Sequence, residues 1–216
     1  KGGSVDDRHL ISAVDLLPTL LDLAGLPYPD GLDGRSFAPV LRGEHQDGRD
    51  YIVAEYNENS GGFRHPMRSL ITREDGYLFN PWSNGRRVMA TATKGTISYR
   101  RMQVLARTDA QAAARLKLFD YRVPEELYHY ATDPDALDNR IDRPESQALR
   151  ARLTSLLEEW MVRTHDPMLE VFRHRTDPDA RERYMKSVEK EASERNSTKT
   201  KKGKGGKKKA ASVEPP

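Results

Sequence analysis

The sequence predicts an α+β fold: a small four-stranded antiparallel sheet packed by a long C-terminal amphipathic helix, with a capped apolar helix ahead of them and a disordered basic tail behind. Three observations carry this reading. Between residues 51 and 130 lie four short β-branched or aromatic runs, and Asp75-Gly76 lies between two of these as a hairpin signal. Residues 144–163 then place Leu149, Leu153, Leu156, Leu157, Trp160 and Met161 along one helical stripe.

The first element is a short helix over residues 15–24, with Asp15 as its N-cap, Pro18 in its first turn and Gly25 as its left-handed stop. Leu16, Leu17, Leu20, Leu21, Leu23 and Ala24 make it apolar nearly all round, so it needs cover on most of its surface, and alone it would leave a patch that favours self-association. A turn-rich loop follows, and Ser36 opens a second short helix through Leu41. The four strand runs are 51–56, 67–72, 77–79 and 127–130, the last closed by a turn at Thr132-Asp133-Pro134-Asp135. Between the third and fourth, Asp109 caps an alanine-rich helical stretch. In the helix over 144–163, Pro144 occupies the first turn and Glu145 faces the positive end of the dipole.

Composition bounds the rest. Apolar residues make up 36% of the 216 and charged residues 32%, which is lean for a packed globule, so much of the chain is surface or unordered. The net charge of +3 hides a division: from Ser197 onward seven lysines face one acid, so the tail carries +6 and the body −3. With Gly203, Gly205 and Gly206 and little apolar content, residues 197–216 read as a disordered lysine-rich tail, and residues 179–196 before it as an exposed charged helix. The tail lacks aromatic interleaving and a folded reader, which excludes a specific nucleic-acid motif. No run approaches the roughly 18 apolar residues of a membrane span. Zero cysteines exclude disulfides and thiolate metal sites.

The order of motifs resembles a known family. Val14-Asp15-Leu16-Leu17-Pro18-Thr19, Gly34-Arg35-Ser36, a strand pair, Glu126-Leu127-Tyr128 with Asp133-Pro134 and Asp138-Asn139, and then an amphipathic helix are similar to the C-terminal part of a sulfatase of the alkaline-phosphatase-like superfamily. Pro66-Met67-Arg68-Ser69, and Trp160 leading to Thr164-His165-Asp166-Pro167, are similar to its heparan N-sulfatase (sulfamidase) branch. The resemblance implies that residues 1–45 end a catalytic α/β domain whose main part is absent, and that residues 46–178 form the C-terminal subdomain. It implies hydrolysis of sulfate esters or N-sulfate groups of sulfated glycans, at a periplasmic, secreted or lysosomal address. It also implies calcium and a formylglycine nucleophile made within Cys/Ser-x-Pro-x-Arg, neither expected within this chain, because cysteine and Ser-x-Pro-x-Arg are both missing. Asp6-Asp7 and Asp138-Asn139 mimic the family's calcium ligands only superficially, so no metal ligand and no catalytic residue is assigned, and the chain alone is expected to be inactive.

What the resemblance leaves to this chain is the pocket wall. The substrate-binding candidates it implies are Arg68, His65, Glu55, Asn57 and Glu58. Arg68 admits two readings: a planar fork gripping the carboxylate or sulfate of an acidic sugar, or a structural ion pair with a nearby acid. His65 is a polar contact to the sugar or a solvated loop residue, and Glu55 an acid behind the site or an exposed edge residue. His165-Asp166-Pro167 suggests a dyad, but beside Pro167 it reads as a turn closing the helix. A different function class stays open, a noncatalytic polyanion-binding protein acting through the lysine tail.

Overall fold

A computed structural model of the chain describes Gly3, residues 5–59 and residues 61–209, with residues 196–209 as backbone alone. The helices are α1 (Leu16–Leu23), α2 (Ala38–Leu41), α3 (Ile97–Leu105), α4 (Ala110–Tyr121), α5 (Gln147–Arg163), α6 (Leu169–Arg173) and α7 (Pro178–Lys209). The strands are β1 (Ile52–Glu58), β2 (Arg64–Ile71), β3 (Asp75–Phe79) and β4 (Glu125–His129), joined as one antiparallel sheet in the order β1-β2-β3-β4. The predicted α+β class and four-stranded sheet are present. The chain divides into two compact units, each discontinuous in sequence: residues 1–54, 69–78 and 126–157, and residues 55–68, 79–125 and 158–216.

In the first unit the chain enters α1 through a 3-10 turn, Ala13–Asp15. Asp15 stands at the N-cap position of α1, as the sequence suggests, but its side chain makes no capping bond to that helix. Its backbone is already helical (φ −78°, ψ −14°), and its carboxylate is 1% exposed. It accepts from the Ser12 N–H at 2.8 Å, from the Arg35 N–H at 3.0 Å and from Arg49, whose Nη2 lies 2.8 Å from Oδ1. A buried carboxylate needs such a set of donors, which outweighs capping one helix end. Gly34 of the Gly-Arg-Ser motif is required by the same packing, since a Cβ there would stand 2.1 Å from the Val14 carbonyl oxygen. At the far end of α1, Gly25 takes φ +66° and the Leu26 N–H closes on the Leu21 carbonyl at 2.9 Å, the stop read from the sequence. Leu16, Leu17, Leu20 and Leu23 are each about half exposed.

The hairpin between β2 and β3 turns earlier than Asp75-Gly76 suggests. The Thr72 N–H donates to the Asp75 carbonyl at 2.8 Å, and the Thr72 hydroxyl accepts from the Asp75 N–H at 2.9 Å, so Arg73 and Glu74 occupy the corner. Asp75 and Gly76 belong to β3 for another reason: the Asp75 carboxylate meets His129 Nδ1 at 2.8 Å, and a Cβ on Gly76 would stand 2.0 Å from the Tyr130 hydroxyl.

In the second unit Thr96 caps α3 and Asp109 caps α4, Asp109 accepting from the N–H groups of Gln111 and Ala112. Phe79 meets Phe172 of α6 edge to face, ring centroids 5.3 Å apart. The stripe of α5 buries Leu153 and Leu157, which fall in the first unit, and Met161, which falls in the second, and the helix closes where His165 takes φ +52° and the Asp166 N–H reaches the Met161 carbonyl at 2.9 Å. Helix α7 is charged as expected but not exposed all round: Met185 and Ala192, one heptad apart, are buried. Glu182 and Glu189, on the same spacing, both bind Arg87 at 2.6 and 2.9 Å. The expectation of a disordered tail from residue 197 falls where side chains are not described, and residues 210–216 lie outside the described residues.

Candidate functional site

All five candidate substrate-binding residues belong to the second unit, on β1 and β2. Strand alternation places Arg68 and His65 on opposite faces of β2, so the structure does not bring them together. Arg68 gathers two of the others. Its side chain is 1% exposed, with Nε 2.6 Å from Asp166 Oδ2 and Nη2 3.3 Å from Asp166 Oδ1. Nη1 donates to Asn57 Oδ1 and to the Met67 carbonyl, both at 2.9 Å, while Nη2 lies 3.3 Å from Glu55 Oε2. Of the two readings of Arg68, the geometry is that of the structural ion pair, because its fork is occupied by groups of this chain. Asp166 in turn accepts the Met168 N–H at 2.7 Å, so the bridge ties β1 and β2 to the turn behind α5.

Asn57 is exposed, and Glu55 beside it keeps 47% of its side-chain surface exposed. Its carboxylate is held by Arg68 on one side and open to solvent on the other. Glu58 is engaged by Arg64 Nε at 3.2 Å and by Arg195. His65 is no solvated loop residue: it is 6% exposed, edge-on to Trp82 with centroids 4.9 Å apart, and its Nε2 lies 3.2 Å from the Val88 carbonyl. A carbonyl can only accept, so Nε2 carries the proton. Burial holds the imidazole below its ordinary pKa, with the Val88 bond opposing, which keeps the ring neutral.

Two residues sequence reasoning did not assign complete the cluster. Asp166 reads as part of a turn, which it is, but the carboxylate that the turn aims at Arg68 leaves no local signal. Tyr184 of α7 is pushed up to about 12 by burial, an effect that Arg68 opposes and Asp166 reinforces, so its hydroxyl remains protonated.

The residues that mimic a calcium site do not fit one. Asp6 accepts from the Arg8 and His9 N–H groups and meets His9 Nδ1 at 2.9 Å; these bonds pull it down to about 2. Asp138 pairs with Arg143 at 2.6 Å, and Asn139 Oδ1 accepts from the Leu127 and Ile141 N–H groups. A hard cation needs converging oxygens free to ligate, and Asp6, Asp138 and Asn139 already hold donors. A formylglycine is not accommodated either, since the chain has no cysteine and no Ser-x-Pro-x-Arg. Ser36, the serine with a proline close behind, donates to Asp22 and accepts the Ala38 N–H within its loop.

Known proteins share this arrangement of sequence. Residues 1–77 match the model of the family described as N-sulphoglucosamine sulphohydrolase, C-terminal. The human N-sulphoglucosamine sulphohydrolase is 28% identical over 178 residues, covering 76% of this chain and 34% of the human protein. An ulvan-active sulfatase from Formosa agariphila is 24% identical over 170 residues, covering 79% of this chain and 32% of its own. Among solved structures, a sulfatase from Bacteroides thetaiotaomicron is 25% identical, covering 77% of this chain and 28% of that one at a TM-score of 0.48. The chain thus spans about a third of the length of the curated relatives it matches. By these matches the chain is similar to the C-terminal parts of sulfatases.

Proposed function

We propose that this chain is the C-terminal subdomain of an enzyme that removes sulfate from sulfated glycans, as an ester or as an N-sulfate, and that it supplies pocket wall rather than nucleophile. The observation that carries the reading is the family match through residues 1–77, which runs across Glu55 and Arg68. The names of the curated relatives, which specify N-sulphoglucosamine and ulvan, support a sulfated saccharide as substrate. The half-exposed leucines of α1 support the presence of a larger catalytic portion covering them, with self-association as the consequence when that cover is missing.

Within this reading, Arg68 is a positioning residue. Its charge is taken up by Asp166 and Glu55, so it holds the Glu55 carboxylate and the Asn57 amide in place and is not itself available to sulfate. Glu55 is the group that meets the sugar, accepting a hydroxyl proton in a hydrogen bond; an anionic sulfate would be repelled there and must be held by cations elsewhere in the enzyme. Calcium and formylglycine would be supplied outside these 216 residues. In enzyme expressed from the whole reading frame in a host that matures formylglycine, Glu55→Gln should raise KM for a sulfated glucosamine saccharide about fivefold, as loss of roughly 1 kcal/mol of hydrogen bonding implies, with kcat nearly unchanged. Absence of sulfate release from every sulfated saccharide tried with that enzyme would overturn the proposal.

A further inference from the structure

A hollow of about 810 Å³ lies wholly within the second unit, and neither Arg68 nor Glu55 lines it. Its walls come from the loop after β3, the end of α4 and the start of α7. Pro81, Pro124 and Pro178 line it with Leu118, Tyr121 and Val123, a set of flat and rigid apolar faces. The volume falls within the range of small-molecule sites, roughly 300–1,000 Å³. None of the residues placed in the candidate glycan site contributes to it.

The charged groups at the hollow are predominantly cationic. Lys117, Arg122 and Arg181 line it, against one acid, Glu182. That acid is already neutralised, because Arg87 grips it through Nη1 and Nη2 at 2.6 and 2.9 Å. Lys117 has no hydrogen-bond or ion-pair partner among the described residues, and Arg181 spends one donor on the Arg175 carbonyl. Arg122 holds its place at a backbone cost: it ends α4 with φ +50° and ψ −167°, a conformation that residues with a Cβ rarely adopt. Through that bend the chain passes from Tyr121 to Val123 and Pro124, all on the wall.

We propose that this hollow is a second ligand site, independent of sulfate hydrolysis, for a small organic anion with a flat aromatic body and one acidic group. The prolines and Tyr121 take the ring faces, and Lys117 and Arg181 the charge. Flat rigid walls favour an aromatic body over a flexible alkyl chain, whose ordering costs more conformational entropy. Excess positive charge selects the anion over a neutral body of the same shape.

The test uses the full 216-residue chain, ¹⁵N-labelled, titrated with naphthalene-1-sulfonate. Saturable amide shifts are expected at residues 83–85, 117–123 and 179–182, with Kd on the order of 0.1–1 mM for a ligand of this size. The neutral analogue 1-naphthalenemethanol should bind roughly three- to tenfold more weakly, and decanoate should also bind more weakly. Lys117→Glu with Arg181→Glu should weaken the sulfonate by a similar factor. Ala114→Trp, which fills the hollow from α4, should abolish the shifts; if either variant fails to give a folded spectrum, the three-ligand comparison on the unaltered chain decides. Equal binding of the neutral analogue overturns the anion preference, tighter binding of decanoate overturns the aromatic body, and shifts confined to the leucines of α1, or none, overturn the site.

Discussion

Arg68→Ala lowers the thermal midpoint by roughly 6–20 °C. The substitution leaves Asp166 buried and without its guanidinium, and breaking a buried pair by removing one partner costs about 3–5 kcal/mol. A chain of this length shifts by about 2–4 °C per kcal/mol. It also strips Asn57 Oδ1 and the Met67 carbonyl of a donor. Differential scanning calorimetry checks the value, and Arg68→Met with Asp166→Leu separates its causes: with both charges gone, most of the loss should return, because desolvation of the orphaned carboxylate dominates it. A double variant as unstable as Arg68→Ala would show that the hydrogen bonds to β1, rather than the charge pair, hold this end of the sheet. A change under 2 °C for Arg68→Ala would contradict the geometry itself.

Asp15→Ala is expected to cost a similar amount, about 3–5 kcal/mol, by leaving Arg49 unpaired and the Ser12 and Arg35 N–H groups without their acceptor. Its pH dependence makes it distinguishable. Burial pushes the Asp15 carboxyl up, but Arg49 and the two N–H groups outweigh burial and hold it below the usual carboxylate range. A depressed carboxyl means that the unfolded chain binds more protons than the folded one. Its stabilisation is therefore complete above the unfolded pKa, near 4, and is lost as pH falls through the lower folded value. Urea midpoints measured from pH 7 to pH 3 should fall less steeply in Asp15→Ala than in the unaltered chain. Parallel curves would show that folding leaves the Asp15 carboxyl unshifted, and the opposite divergence would show that the fold keeps it neutral.

What could be read from the sequence was local. The stripe of α5, the Asp109 cap and the Gly25 stop each depend on residues within a turn or two, and each is present. The turn at Asp75-Gly76 was misplaced because the strongest dipeptide signal answers to distant partners: Asp75 to His129, and Gly76 to the ring of Tyr130. Asp15 misled for the same reason, since its role is decided by Arg49, 34 residues on. The candidate site was legible as a set of residues but not in its roles. Arg68 and Asp166 are 98 residues apart, and no periodicity links them. Only their pairing shows that the Arg68 fork is occupied and that Glu55 beside it keeps an exposed carboxylate, which is what the proposed roles rest on.

The proposed subdomain carries pocket wall and not the chemistry of sulfate release. Sulfate release from p-nitrophenyl sulfate and from N-sulfoglucosamine, measured with the purified 216-residue chain in the presence of calcium, tests it most directly. The expected result is release no faster than in buffer at any chain concentration. Turnover that scales with the chain and survives rigorous purification would contradict it, and would require a nucleophile within these 216 residues.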